Sequence, residues 1–371
     1  MKKLLRYLSP FAPDQSGVSG VLYELGGLIV ICDAGGCSGN ICGFDEPRWF
    51  TKKSAVFSAG LRDMDAIMGR DDKLIEKLAK AQEKLKCNFT ALIATPVPAV
   101  IGTDMKALKR MAEKKTGVPC ISINAIGTRY YDEGESQAWY ELFREFAGKE
   151  ASGESSAAYS EKVGILGATP LETGYSSPEA LMDLCAGYGI DSPVIYGIGT
   201  GLDAIKNASN VKKNLVVSAA GLKAAQYLKD TFSVPYEVGY PFIPETVISE
   251  VMTFKDRIGS DIKRILIIHS QFASNELRRN IRDGIGDDAT DVTLDCATFF
   301  MQEADYAEAG DIKLTGEDEL WEMAENNAYD LVIADTDIKR LLDAAGYRGS
   351  FAEFPEFSIS GIPMDDGKTL A

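Results

Sequence analysis

The segment Ile31-Cys32-Asp33-Ala34-Gly35-Gly36-Cys37-Ser38-Gly39-Asn40-Ile41-Cys42-Gly43-Phe44 concentrates the residue types that can hold a metal. Three of the seven cysteines, Cys32, Cys37 and Cys42, recur at five-residue intervals, and four glycines lie between Asp33 and Phe44. Glycines let a backbone fold closely against a bulky group and leave amide N–H groups free to point at bridging sulfides. Thiols beside such a backbone suit an iron–sulfur cluster, with Cys37, Cys42 and Cys32 as candidate ligands and Gly35, Gly36 and Gly39 lining it. The spacing is not the close-set CxxCxxC of ferredoxins, so the same residues also read as small buried cysteines beside a flexible loop. Cys32, at a strand end, is the one of the three that burial alone explains best. Cys87, Cys120 and Cys185 fall within or at the ends of core elements and read as packing residues.

Other motifs carry less. Gly361-Ile362-Pro363-Met364-Asp365-Asp366-Gly367-Lys368-Thr369 imitates a phosphate-binding loop, but its glycines are one residue too far apart and only two residues follow Thr369, too few for the helix such a loop requires. Gly197, Gly199 and Gly201 are spaced GxGxG rather than GxGxxG, and the acidic residue expected after the next strand is replaced by Ser218 or Ala219, so a tight strand-to-helix turn is expected. His269 is the only histidine, which leaves almost no material for a His-rich zinc site or a Ser-His-Asp triad; it reads as a hydrogen-bonded structural residue at a strand end.

The elements that must position the cysteine segment follow from hydrophobic patterning. Apolar β-rich runs at 28–31, 91–94 and 120–123 alternate with helical patterns at 72–86 and 104–115; runs at 163–168, 194–198 and 215–218 alternate with helices near 178–187, 202–208 and 222–231; and runs at 264–268, 292–294 and 331–334 alternate with helices near 274–283 and 317–326. Continuous apolar strands alternating with helices signal parallel sheets covered on both faces. An α/β chain of three Rossmann-like or flavodoxin-like doubly wound domains is expected, over 1–150, 160–256 and 262–371. The Ser- and Gly-rich stretch 148–162 and a break near 256–263 separate them. The strand ending at Cys32 delivers the cysteine segment to the carboxyl end of the first sheet, where open α/β folds place their sites.

Composition narrows the partners. The chain of 371 residues carries a formal charge of −16, which disfavours nucleic acid or an anionic membrane as the main partner. The imbalance lies beyond residue 150: the first 150 residues hold 21 basic and 19 acidic side chains, whereas 283–319 holds twelve acids and Lys313 alone. That run reads as a solvated acidic face, or as a surface that orients a charged partner. The opening Met1-Lys2-Lys3-Leu4-Leu5 is cut short by Arg6 and Pro10, no apolar run approaches about 18 residues, and the odd cysteine count makes no disulfide framework, so a cytoplasmic protein is expected.

At the cysteine segment the sequence resembles the nitrogenase component 1 superfamily, whose phrase His-Gly-Pro-x-Gly-Cys is matched by Cys32-Asp33-Ala34-Gly35-Gly36-Cys37 with its Gly-Cys pair kept. Collinear matches follow at Ala55–Gly60 and Asp72–Leu74, Val100–Asp104, Gly117–Pro119, Asn124–Gly127, Asn214–Val217, Val234–Pro241 and Phe357–Gly361. The resemblance implies three α/β domains, an iron–sulfur cluster, by expectation [4Fe–4S], at a subunit interface, and an ATP-hydrolysing iron-protein as electron donor. It also marks departures. Of the family's three cluster cysteines per subunit only Cys37 remains, the others falling on Ser9 and near Thr95-Pro96; the cysteine that holds the nitrogenase cofactor falls on Ser218, and the C-terminal part has no histidine to complete that site. Dinitrogen reduction on such a cofactor is therefore not expected. Asp33 is an alternative oxygen ligand, since a related reductase uses an aspartate. With Cys37 and Cys42 as the two thiols the segment offers and about four ligands needed, a two-fold axis would supply the rest, giving a homodimer, or a heterodimer with a paralogous subunit. The leading expectation is a reductase subunit acting on an unidentified substrate. The alternatives are a non-catalytic cluster or metallocofactor scaffold and a metal-free small-molecule binding protein.

Overall fold

The apolar runs form strands, and every pairing between named strands is parallel. The computed structural model describes residues 5–149, 156–286 and 291–364. A first sheet holds β1 (Leu28–Ile31), β2 (Ala55–Ser58), β3 (Thr90–Ile93) and β4 (Cys120–Ile123) in the order β2-β1-β3-β4. A second holds β5 (Val163–Leu166), β6 (Pro193–Ile195), β7 (Lys213–Val216) and β8 (Tyr236–Val238) in the order β6-β5-β7-β8. The third contains β9 (Arg264–Ile268), β10 (Thr293–Thr298), β11 (Ile312–Lys313), β12 (Leu331–Ala334) and β13 (Ser350–Glu353), ordered β11-β10-β9-β12-β13. This is the expected α/β architecture. The short strands β8, β11 and β13 lie at sheet edges and are half exposed, so they leave no continuous apolar run for a sequence to display.

In each sheet the first strand is interior, and the chain runs to one side of it before crossing to the other. The crevice at the carboxyl end of β1, β5 and β9 is therefore a topological switch point, the place where such folds accept ligands. One face of the first sheet is covered by the helices Asp71–Leu85 and Met105–Thr116, whose Leu74, Leu78, Leu108 and Ala112 pack with Leu28, Val30 and Leu92. The other face belongs to a larger core in which Trp139 and Phe143 of the helix Tyr131–Phe146 meet Tyr196 beyond β6. That helix crosses the helix Asp14–Leu22 at backbone contact. A Cβ on Gly17 would stand 2.0 Å from the Tyr131 carbonyl oxygen and one on Gly134 1.9 Å from that of Asp14, so both positions require glycine.

Residues near the amino end lie against the third sheet. Leu8, Phe11 and Ala12 pack with Leu266, Ile268 and Phe299, and the Tyr7 and Leu8 amides donate to the Glu317 carboxylate at 3.1 and 3.3 Å. Acids of the run 283–319 are likewise put to use, Asp311 holding Arg278 and Glu308 holding Arg282 in forked pairs; residues 287–290 of that run, and 365–369 of the phosphate-loop imitation, lie outside the described residues. Among the described residues no helix is long and apolar enough to cross a membrane.

Candidate functional site

The cysteine segment is not the loop its glycines suggest. Past β1 the chain makes one turn of α-helix, Gly36–Asn40, continues as a π-turn, Ile41–Asp45, and closes with a 3-10 turn, Pro47–Phe50. Gly35 starts it at φ 118°, backbone space closed to most side chains, and Asp33 fixes the turn. Its two carboxylate oxygens accept from the Ser58 hydroxyl (2.6 Å) at the end of β2 and from the Ser38 amide (2.8 Å). Within single helices π-turns are rare and frequent at functional sites, because one extra residue re-aims the side chains around it. Here Cys42 lies in the π-turn and Cys37 in the α-turn before it.

The far end of this helical stretch is pinned by Arg48, which sequence reasoning passed over. Its guanidinium is fully buried and every N–H direction is used: Nε and Nη2 grip Glu46 at 2.7 and 2.6 Å, Nη1 reaches Glu24 at 3.1 Å, and the carbonyls of Gly20 and Gly197 accept at 2.7 and 2.9 Å. A planar fork in a bidentate carboxylate pair is the arrangement for which arginine has no substitute. The signal available in the sequence was an Arg two residues from a Glu beside the cysteines. The same cluster disposes of the GxGxG imitation: Gly197 offers its carbonyl to Arg48, Gly199 donates its amide to Glu24 (3.0 Å), and a Cβ on Gly199 would strike Pro178. These glycines serve a tight turn, as expected.

The candidate ligands separate into two kinds. Cys32 is buried in the core of the first sheet with Cys120, and burial, with Asp33 beside it, pushes its thiol up to about 12. Cys37 and Cys42 are half-buried at the surface; their thiols are also raised, by burial and by the carboxylates Asp33 and, for Cys42, Glu46. Burial and carboxylates both oppose the thiolates, so a bound metal would itself have to supply the positive charge that favours them. Thr95, after β3, lies within hydrogen-bonding reach of Cys37 and donates to the Cys32 carbonyl at 2.9 Å, placing Cys37 at the β1/β3 switch point. Ser9, the other position the resemblance marks as replaced, is instead held by Asp337 beneath the third sheet. Cys120, Cys185 and Cys296 are buried, Cys87 is half-buried, and all seven cysteines are free.

Around Cys37 and Cys42 the surface is bare. Among the described residues a Cβ on Gly35, Gly36, Gly39 or Gly43 would meet nothing within 4 Å, so no contact among them requires three of these glycines, although each costs a helix up to about 1 kcal/mol relative to alanine. Large apolar side chains on the neighbouring turns stand in solvent: Phe44 (75% exposed), Phe50 (77%), Ile67 (75%) and Val100 (84%). They sit on the connections that follow β1, β2 and β3, at the same end of the sheet as the two thiols. Among the described residues no group of three or more His, Cys, Asp or Glu side chains is arranged to hold a metal ion. One chain thus offers two accessible thiols, an open backbone cradle and an apolar rim: donors that suit a thiolate-ligated cluster, in a set that a single copy does not complete.

A comparison with curated proteins gives no match. Among the solved structures that share the fold are nitrogenase Cp1 at pH 6.5, with a TM-score of 0.67 at 12% identity over 96% of this chain and 88% of that one, and nitrogenase Cp1 at pH 5, with a TM-score of 0.64 at 14% identity over 96% and 85%. The model of the nitrogenase component 1 type oxidoreductases matches residues 28–270, from the first residue of β1 to the switch point of the third sheet. With about two-thirds of its length so matched, the chain belongs to the family of nitrogenase component 1 type oxidoreductases.

Proposed function

We propose that this protein is an electron-accepting reductase subunit that holds an iron–sulfur cluster, of [4Fe–4S] type, between two copies of itself. Cys37 and Cys42 from each copy supply the four ligands. The observation that carries the reading is the coincidence, at one switch point, of two accessible thiols, glycine backbone with no neighbour among the described residues, and an exposed apolar rim. A large exposed apolar patch marks an interaction surface, and a second copy is the occupant that also completes the ligand set. Such a cluster supplies one-electron storage. The chain's own residues do the rest: Asp33 and Arg48 fix the two ends of the helical stretch, Thr95 ties the end of β3 to the Cys32 carbonyl, and Phe44, Phe50 and Val100 exclude water once covered. Electrons would come from an ATP-dependent iron-protein, the donor with which this family works.

Ser218 favours a second reading, a cluster scaffold without turnover. It is buried, donates to the Gly167 carbonyl at 3.1 Å and leaves no thiol where the resemblance places the cofactor-holding cysteine. Anaerobic purification with iron and sulfide analysis and sedimentation tests the proposal: a brown dimer with stoichiometric iron and sulfide is expected, and a colourless monomer after reconstitution would overturn it. Reductive turnover with an iron-protein partner, against cluster transfer without turnover, separates the two readings.

A further inference from the structure

The switch points of the second and third sheets face each other across a buried acidic junction that the cluster reading does not use. Past β5, Thr169 opens a short helix, Pro170–Thr173, that carries Glu172; past β9 come His269 and Ser270; past β13 comes Glu356; and the helix Tyr131–Phe146 adds Asp132 and Glu135. All are buried. Ser270 links the sheets, its hydroxyl donating to Glu172 Oε1 at 2.6 Å while its amide lies beside Glu356. The Tyr131 hydroxyl donates to Glu172 Oε2 at 2.9 Å, the Tyr240 hydroxyl to the Glu172 carbonyl at 3.1 Å, and the Thr169 hydroxyl to Glu135.

Counter-charges are wanting. Among the described residues no lysine or arginine pairs with Glu135, Glu172 or Glu356. Arg48, which faces Glu135, is spent on Glu46 and Glu24, and Lys313, which faces Asp132, donates to the Phe299 and Phe300 carbonyls. His269 Nδ1 is 3.7 Å from Glu356 but accepts from the Ser270 amide, and Nε2 meets the Pro355 carbonyl at 3.1 Å, so the ring is neutral. Among the described residues, both oxygens of Glu356 and Oε2 of Glu135 have no hydrogen-bond partner. Asp335 adds a further negative neighbour to Glu356. Unpaired carboxylates cannot remain charged in such a site; the ligand that satisfies them at least cost is the proton.

We propose that the facing ends of the second and third sheets form a proton-binding site, built from Glu135, Glu172 and Glu356, whose occupancy sets how tightly those sheets dock. Each bound proton removes one charge from a cluster drawn from three separate parts of the chain, so ionisation separates elements that neutrality holds together. Burial raises Glu172 to about 8, and burial with repulsion from Glu172 lifts Glu135 and Glu356 well above the carboxylate range. The folded chain then holds protons that the unfolded chain has released, and the docked state weakens as pH rises toward about 8.

The full-length protein, unfolded by denaturant at a series of pH values, tests this. Every proton held only by the folded state makes the unfolding constant rise about tenfold per pH unit, so Glu172→Gln is expected to lower that slope by about one decade per unit between pH 5.5 and about 7.5, and a wild-type slope in the variant would overturn the proposal. Infrared spectra of the wild type at pH 7 decide the matter even if the variant does not fold: protonated buried carboxyls give a carboxylic C=O band, which fades as the pH is raised and is accompanied by faster amide exchange at Thr169 and Ser270. Absence of that band at pH 7 would refute the site.

Discussion

The helical stretch beyond β1 and the acidic junction beyond β5 and β9 occupy equivalent places in their sheets and have opposite characters. The first is open: thiols half-exposed, glycines facing empty space, aromatic and aliphatic side chains in water. The second is closed: carboxyls, hydroxyls and an imidazole are buried together, Glu172 bonded to Tyr131 and Ser270 but the Glu356 carboxyl without a hydrogen-bond partner among the described residues. A switch point is only a crevice, and the side chains that fill it decide whether the crevice waits for a partner or is closed from within.

Replacing a thiol at the open site breaks the contrast most completely. Cys37→Ser or Cys42→Ser is expected to abolish iron binding, whereas Cys120→Ser and Cys185→Ser keep iron and lose about 1–3 kcal/mol of stability through core packing. Iron analysis beside denaturant titration of the four variants checks both halves; unchanged iron in the first pair would remove the assignment.

Arg48→Met comes next, since it strands the buried Glu46 without its partner and leaves Glu24 to Lys52 and the Gly199 amide. A loss of about 3–5 kcal/mol is expected in the unfolding free energy. Iron content should fall with it, because the far end of the ligand-bearing stretch loses its anchor.

Gly39→Ala gives the smallest and the most discriminating effect. Its Cβ meets nothing among the described residues, so the metal-free protein should gain up to about 1 kcal/mol from helix propensity, while cluster content and dimerisation decline. A variant as stable as expected that binds iron normally would show that nothing approaches this backbone.

Much of this contrast was legible in the sequence at one site and hidden at the other. Cys37, Cys42 and the glycines lie within a dozen residues, so type and spacing exposed them, and continuous apolar runs such as 28–31 and 264–268 disclosed the interior strands. The π-turn was hidden, since glycine-rich sequence favours loops until anchors such as Asp33 and Arg48 fix its ends. The helix Tyr131–Phe146 escaped for a related reason: Asp132, Glu135 and Ser136 occupy buried positions of its first turns, which breaks the apolar period that marks a core helix. The acidic junction draws on residues from 131 to 356, and no local pattern joins them. His269, read as a structural residue at a strand end, is one, with its basicity suppressed to about 3 by burial.

The docking of residues 6–8 onto Glu317 carries a consequence in time. The Arg6 amide and its carboxylate partner are 311 positions apart, and at roughly 5–20 residues per second of synthesis the ribosome needs on the order of 15–60 s to produce the second after the first. Throughout that interval Leu8 and Phe11 have no third sheet to cover them. The nascent chain therefore carries this apolar segment without its full cover until the third sheet is made, and the earliest residues described are among the last to find their place.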